Sequence, residues 1–231
     1  MAWVFTPPPA SGLTVIGSQA RFPLQRVFCV GRNYAEHAQE MGHSGREDPF
    51  FFCKSAQVVV AADESAVAHI PYPAQSTELH HEVELVVALA KGGANLSTAQ
   101  AFEAIYGYAI GLDMTCRDLQ AQLKAQGRPW EISKAFDASA VIGPVYPINQ
   151  TGALSAGAIS LSVQGELRQR GDLSQLIWPV AEAIAYLSRY VTLLPGDVLM
   201  TGTPAGVGAV QSGDRMQAQI AGLGQLEVVV D

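Results

Sequence analysis

The sequence lacks any apolar run long enough to cross a membrane. Its first residues, Met-Ala-Trp-Val-Phe-Thr-Pro-Pro-Pro, lack the basic start of a secretory signal peptide. From these two absences we expect a cytoplasmic protein that has no membrane partner.

Positive charge is also scarce. The 21 Asp and Glu residues outnumber the 14 Lys and Arg residues, which gives a formal net charge of −7. Because nucleic acids and anionic lipids select basic surfaces, we expect no nucleic-acid partner. A hydrophobic content of 48% with 15% charged residues is typical of a globular domain with a substantial core.

Cysteine is rare, and no two cysteines have the Cys-x-x-Cys spacing of a redox or zinc motif. The three residues are Cys29, Cys53 and Cys116. An odd number of widely separated cysteines predicts free thiols in a reducing compartment.

Short apolar runs, bounded by glycine and other turn residues, predict a chain built mostly of strands. The strand candidates are 26–31, 50–54, 58–61, 67–70, 83–89, 107–114, 141–145, 159–163, 167–169, 198–201, 215–220 and 225–230. Two possible capping boxes, Ser97 with Gln100 and Thr115 with Asp118, predict helices, the first running through residue 106. We therefore predict an α+β, mostly β fold, with a Pro-rich arm over residues 1–23 and one domain over residues 24–231.

Two carboxylates stand at the entry of the apolar stretch His80–Leu89. Side chains alternate along a strand, so Glu82 and Glu84 are expected on one face. Two half-buried carboxylates repel each other, and they need a proton, a cationic partner or a metal. Asp113, at the end of another strand candidate, could complete an all-oxygen site for Mg²⁺, Mn²⁺ or Ca²⁺. The alternative is a solvated strand edge with Asp113 as a helix cap.

Three further side chains are candidates for chemistry. His37 and Glu40 are three residues apart on a helix predicted between Asn33 and Gly42, where the carboxylate could orient the imidazole as a general base. The alternative is a surface helix with a weak ion pair. Lys134 lies in an apolar segment and is either functional or extends its amine to solvent, and the same choice holds for Lys54.

The segment Gly202–Gly208 is rich in glycine but lacks the Gly-Lys-Ser/Thr ending of a nucleotide-binding loop. Together with Thr201 and Thr203, it could present N–H groups and hydroxyls to a small carboxylate. The alternative is a loop that uses glycine only for its turns.

Five segments together resemble the fumarylacetoacetate hydrolase family, specifically its short bacterial acylpyruvate hydrolases. They occur in family order and the resemblance covers roughly residues 24–230. The segments are Val-Gly-Arg-Asn-Tyr-Ala-Glu-His (30–37), Leu-His-His-Glu-Val-Glu-Leu (79–85), Gly-Leu-Asp-Met-Thr-Cys-Arg-Asp (111–118), Pro129-Trp130 leading to Lys134, and Leu-Met-Thr-Gly-Thr-Pro with Gly-Val-Gly (199–208). The Phe-Phe-Phe-Cys-Lys segment (50–54) and the Pro-rich start are most similar to fumarylpyruvate hydrolases of aromatic-acid catabolism.

This resemblance implies a mixed β-sheet roll, a homodimer, and a Mg²⁺ (or Mn²⁺) held by Glu82, Glu84 and Asp113. Oxygen ligands suit that chemistry, so His80 and His81 are expected to support or pack beside the site and not to bind the metal.

The resemblance also implies a separate role for each of the other candidate residues. His37, oriented by Glu40 on a mobile lid helix, would activate a water, and Lys134 would stabilise a pyruvate enolate. Residues expected to hold the carboxylates of a small 2-oxo acid substrate are Arg117, Gln120 and Thr203. Two departures from the family pattern, Ser55 after the lysine at 54 and Ala135 after Lys134, leave these groups in place.

The implied activity is hydrolysis of the C–C bond of an acylpyruvate, with fumarylpyruvate giving fumarate and pyruvate. The same metal and enolate would also serve an oxaloacetate decarboxylase, or an isomerase or decarboxylase of the 2-hydroxymuconate type. A non-catalytic binding module is the alternative of another class.

Overall fold

A computed structural model describes residues 3–6, 9–35, 46–64 and 66–231 of the chain. His37, Glu40 and most of the helix predicted between Asn33 and Gly42 lie outside the described residues. None of the described helices is long and apolar enough to cross a membrane.

Strands dominate the described part of the chain. In chain order they are β1 Gly12–Thr14, β2 Arg21–Pro23, β3 Arg26–Gly31, β4 Phe50–Ser55, β5 Val59–Ala61, β6 Val67–Ile70, β7 Leu79–His81, β8 Val83–Leu89, β9 Ile105–Asp113, β10 Thr115–Cys116, β11 Ala140–Ile142, β12 Tyr146–Pro147, β13 Ala158–Val163, β14 Glu166–Asp172, β15 Val198–Met200, β16 Gly208–Val210, β17 Arg215–Ile220 and β18 Gln225–Val230.

The helices are short. They are α1 Thr98–Glu103, α2 Arg117–Ala125, α3 Glu131–Lys134, α4 Ile148–Thr151 and α5 Val180–Leu187, with 3₁₀ turns at Ala56–Val58 and Leu173–Gln175.

The strands form a curled, mixed arrangement, which confirms the predicted mostly β fold class. The largest sheet has the order β4-β3-β15-β8-β9-β11-β5, with β12 paired to β9, and a second sheet has the order β14-β13-β17-β18-β6. Most neighbours are antiparallel, but β15–β3, β11–β5 and β18–β6 are parallel. A small sheet, β10-β7-β16, lies at the end of β8 where the carboxylates collect.

Strand β8 lies at the centre of the largest sheet, and every one of its residues is buried. One face, with Val83, Leu85 and Val87, packs into the main core. Val86 and Ala88, on the other face, pack into a smaller core that also contains Leu13, Val15 and Phe22 from the N-terminal segment. A strand covered on both faces is held firmly, so the groups at its ends are positioned by the core.

The first of the two predicted capping boxes is present, and the prediction of the second is wrong. The Ser97 side chain accepts the backbone N–H of Gln100, and the Gln100 side chain accepts the N–H of Ser97, at the start of α1, which ends at Glu103 instead of continuing through residue 106. Helix α2 begins at Arg117 without a side-chain cap. The Asp118 carboxylate accepts hydrogen bonds from Ser76 and Thr77 instead, 42 and 41 residues away in sequence, and so ties α2 to the segment before β7.

Candidate active site

Three carboxylates from two adjacent strands meet at one end of the largest sheet. Each of Glu82, Glu84 and Asp113 offers an oxygen, and these oxygens lie within 4.8 Å of one another. The three residues are 6%, 2% and 1% exposed, respectively. Strand pairing explains the convergence, because β8 runs antiparallel to β9 with Glu84 opposite Gly111, two residues before Asp113.

The two glutamates do not share one uninterrupted strand, and this prediction was wrong. Strand β7 ends at His81 and β8 begins at Val83, so Glu82 lies at the junction between the small sheet and the largest sheet. The Glu82 carbonyl accepts the Asp113 N–H at 2.9 Å, and the Val83 N–H donates to Gln169 Oε1 at 3.1 Å. At this junction the Glu82 carbonyl and the Val83 N–H therefore stay paired, and the Glu82 carboxylate still lies beside those of Glu84 and Asp113.

Two buried lysines neutralise part of this negative charge. Lys134 Nζ lies 2.8 Å from Glu82 Oε2 and 2.9 Å from Asp113 Oδ2. Lys54 Nζ lies 2.8 Å from Asp113 Oδ1, and it also donates to the carbonyls of Ser139, at 3.0 Å, and Lys134. Burial alone would lower the pKa of Lys134, but the charges of Asp113 and Glu82, with the hydrogen bonds to both, raise it. Lys134 is therefore a firmly held cation.

Glu84 is in a different position from the other two carboxylates. Its Oε2 accepts the Gly202 N–H at 2.7 Å, and no lysine or arginine of the described ranges lies within ion-pair distance of it. Burial, followed by the charges of Asp113 and Glu82, raises the pKa of Glu84 well above its ordinary value. A carboxylate that is costly to ionise, next to two that are paired with lysine, fits a site for a divalent cation. Three carboxylate oxygens are the ligands that Mg²⁺ and Mn²⁺ prefer.

Arg117 supports Glu82 from the side of α2. Its Nη2 lies 2.6 Å from Glu82 Oε1, its Nη1 donates to Gln120 Oε1 at 2.5 Å, and its Nε donates to His80 Nδ1 at 3.4 Å. All three positions of the guanidinium therefore contact protein acceptors. The predicted contact between Arg117 and substrate stays a prediction, whereas its contact with Glu82 is direct.

Neither of the two adjacent histidines joins the carboxylate cluster. His81 is fully buried, and its Nδ1 lies 2.9 Å from Gln169 Oε1. Gln169 in turn donates to Thr203 Oγ1 at 2.7 Å and to the Pro204 carbonyl at 2.8 Å, which connects β14 to the glycine-rich loop. Burial, with the nearby charge of Arg117, lowers the pKa of His80 to about 4, so that it stays neutral and can accept from Arg117.

A small cavity of about 40 Å³ opens onto the carboxylates. It brings together all the predicted site residues that the structure describes, namely Glu82, Glu84, Asp113, Arg117, Gln120, Lys134 and Thr203. His37 and Glu40 lie outside the described residues, so their predicted roles stay predictions. Arg32 and Trp130 also line the cavity, although neither was predicted from the sequence as a site residue, and Lys54, whose role the sequence left open, pairs with Asp113. The available signals were a charged residue directly after β3, Arg32, and a charged residue near the end of the apolar strand β4, Lys54.

Comparison with known proteins gives the family. The model for the fumarylacetoacetate (FAA) hydrolase C-terminal domain matches residues 26–231, and the chain belongs to this family. It is 54% identical to a fumarylpyruvate hydrolase from Pseudomonas aeruginosa whose crystal structure contains Mn²⁺ and pyruvate, with 99% of each chain covered and a TM-score of 0.97.

The names of the curated relatives state more than one activity. A fumarylpyruvate hydrolase from Ralstonia sp. is 42% identical over 184 residues, which cover 80% of this chain and 93% of that protein. An oxaloacetate tautomerase from Escherichia coli is 38% identical over 207 residues, which cover 89% of this chain and 93% of that protein. The named relatives therefore share the family but differ in the reaction that their names state.

Proposed function

We propose that this protein is a divalent-metal-dependent hydrolase that cleaves fumarylpyruvate to fumarate and pyruvate. The observation that carries the proposal is the buried cluster of Glu82, Glu84 and Asp113 with Lys134 at its edge. The similarity to fumarylpyruvate hydrolases at 54% and 42% identity supports the choice of substrate.

Glu82, Glu84 and Asp113 would hold Mg²⁺ or Mn²⁺, with Mg²⁺ as our proposal for the working metal. When bound, the metal supplies Lewis-acid polarisation of the 2-oxo carboxylate end of the substrate. Lys134 places a permanent positive charge beside that end, where negative charge develops as the C–C bond breaks toward pyruvate enolate. Burial keeps water from screening this charge, since Lys134 is 4% exposed.

We assign the hydrolytic step to His37 and Glu40. His37 would take a proton from a water that adds to the 4-carbonyl, and Glu40 would orient the imidazole. Gln120 and Thr203, both on the cavity wall, are proposed to contact substrate oxygens.

The second candidate is decarboxylation or tautomerisation of oxaloacetate. Named relatives with these activities are 37% and 38% identical, and the reactions need the metal cluster and Lys134 but no hydrolytic water. His37→Ala therefore distinguishes the two. We expect it to abolish hydrolysis of fumarylpyruvate and to leave most of any oxaloacetate decarboxylation.

The test is a substrate panel of fumarylpyruvate, acetylpyruvate, maleylpyruvate and oxaloacetate, with Mg²⁺, Mn²⁺ or EDTA. We expect metal-dependent release of pyruvate, fastest with fumarylpyruvate, and none in EDTA. Turnover of oxaloacetate alone would replace the proposal by the second candidate, and no turnover of any substrate would favour a binding module. Equal loss of both activities in His37→Ala would overturn the role of His37.

We also propose that the protein is a cytoplasmic homodimer. All three cysteines are unpaired, as a reducing compartment predicts, and large apolar side chains such as Phe102, Leu167 and Tyr190 remain exposed on the single chain. Light scattering after size-exclusion chromatography would reveal a monomer if the dimer is wrong, and cell fractionation tests the compartment.

A further inference from the structure

Arg32 is the one arginine lining the active-site cavity that has no carboxylate within ion-pair distance among the described residues. Its Nε is buried without a hydrogen-bond partner in the part of the chain that the structure describes. Its guanidinium carbon lies 5.2 Å from the centre of the Phe50 ring, which also lines the cavity. Arg117, the other arginine of the cavity, is occupied by Glu82, Gln120 and His80.

The backbone conformation of Arg32 shows that the surrounding structure fixes this residue at the cavity wall. Arg32 has φ of 57°, in the left-handed region that residues with a Cβ rarely adopt. The next residue, Asn33, is 1% exposed, and its side chain donates to the carbonyls of Thr201 and Trp178 at 2.8 and 3.0 Å and accepts the Trp178 N–H at 2.7 Å. A fully bonded neighbour thus holds Arg32 in a costly conformation at the cavity wall, and such strain concentrates at functional positions.

The charges of the cavity define what Arg32 can bind. Lys54, Lys134 and Arg117 are paired with the carboxylates of the metal cluster, whereas Arg32 brings a positive charge that no described carboxylate matches. Guanidinium groups pair best with carboxylates, to which they can donate two parallel hydrogen bonds. Fumarylpyruvate carries one carboxylate at its 2-oxo end, which belongs at the metal cluster, and a second at the far end of its acyl group.

We propose that Arg32 binds the remote carboxylate of the acyl group and thereby selects dicarboxylic acylpyruvates over acylpyruvates with a neutral tail. This inference rests on the proposed function and adds the determinant of its substrate class. It assigns Arg32 a binding role that is separate from the reacting atoms.

The binding test uses two saturated ligands that lack the 4-keto group and cannot be cleaved. 2-Oxoheptanedioate has the seven-carbon chain and both carboxylates of fumarylpyruvate, and 2-oxoheptanoate lacks only the remote carboxylate. Calorimetry in Mg²⁺ compares the wild type with Arg32→Met, Arg32→Lys and a control, Arg170→Met, which removes an exposed arginine of β14. A lost charged hydrogen bond should weaken 2-oxoheptanedioate about 10- to 100-fold in Arg32→Met, less in Arg32→Lys, and not in Arg170→Met. Binding of 2-oxoheptanoate should change less than about twofold, because only the remote contact has been removed.

The kinetic test compares fumarylpyruvate with acetylpyruvate, whose tail is a neutral methyl group. Arg32→Met should lower kcat/KM for fumarylpyruvate, mainly through KM, and lower it much less for acetylpyruvate. Equal losses on both members of either ligand pair, or no loss on any, would overturn the role of Arg32. If the wild type binds 2-oxoheptanedioate more tightly than 2-oxoheptanoate, Arg32→Met loses this preference, and no acylpyruvate is hydrolysed, the proposed function fails while the binding role of Arg32 stands.

Discussion

Neutralising two carboxylates of one cluster should change the stability of the metal-free protein in opposite directions. Glu84→Gln removes a buried charge that has no cationic partner among the described residues. Glu82→Gln removes a charge that is paired with Arg117 at 2.6 Å and Lys134 at 2.8 Å. Glutamine has nearly the same shape as glutamate, so the comparison isolates charge from packing.

The magnitudes follow from the distances. Charges separated by about 4 to 5 Å repel by roughly 3 to 4 kcal/mol at an effective dielectric constant of about 20. Glu84 can avoid part of this cost by taking up a proton, so the amide should raise the free energy of unfolding by about 0 to 2 kcal/mol. In Glu82→Gln two cations lose a partner, although Lys134 keeps Asp113 at 2.9 Å and Arg117 keeps Gln120. We expect that variant to be destabilised by about 1 to 3 kcal/mol.

The assay is urea unfolding of the wild type and both variants in EDTA and in Mg²⁺. A ligand at about one hundred times its dissociation constant stabilises a folded protein by about 2.7 kcal/mol. Mg²⁺ should raise the free energy of unfolding of the wild type by an amount of this order. It should raise that of both variants less, because each lacks one proposed metal ligand. Activity should fall in both variants, whatever their stability in EDTA.

Two results would refute this reasoning. If Glu84→Gln were destabilised in EDTA as much as Glu82→Gln, the charge of Glu84 would not be the uncompensated one of the cluster. If either variant kept the full stabilisation by Mg²⁺, the metal would not be held by the three residues together.

Two lysine variants separate the remaining roles. Lys134→Met should lower turnover by about 100-fold or more and leave metal affinity equal or higher, since the amine competes with a cation for Glu82 and Asp113. Metal affinity measured by titration would contradict this if it fell together with turnover. Lys54→Met should destabilise the fold by about 3 to 5 kcal/mol in urea unfolding, because it breaks a buried ion pair with Asp113 and frees the Ser139 carbonyl. A loss below about 1 kcal/mol would show that the Lys54 contacts are weak.

The strands were the most predictable part of the fold. The candidates 26–31, 67–70, 215–220 and 225–230 match β3, β6, β17 and β18 at both ends. These runs are short, and they either alternate between apolar and polar residues or have an apolar interior, so local pattern and tertiary environment agree. From the residues alone, the convergence of the three carboxylates was one of two alternatives, and the family resemblance favoured it; Asp113 does lie at the end of β9, as that interpretation requires.

What could not be predicted depends on contacts distant in sequence. The break at Glu82 has no local signal, since the alternating pattern continues across it while the chain passes from one sheet to another. Asp118 has the spacing of a helix cap, but it bonds to Ser76 and Thr77 across the fold. Lys54 and Asp113 are 59 residues apart, and neither sequence environment indicates that they form a pair.

The pairing of charges within the cluster explains why a metal-free fold can form around three buried carboxylates. Lys54 and Lys134 both contact Asp113, and Lys134 and Arg117 both contact Glu82, so these two anions are compensated before any metal binds. Among the described residues, Glu84 has only a backbone N–H as its partner, and burial, together with the charges of Asp113 and Glu82, raises its pKa, so a cation bound beside it would stabilise its ionised form. The compensation is uneven, because the three cations pair with Glu82 and Asp113 and none of them forms an ion pair with Glu84. The described cations thus stabilise two of the carboxylates and leave the third to provide the driving force for metal binding.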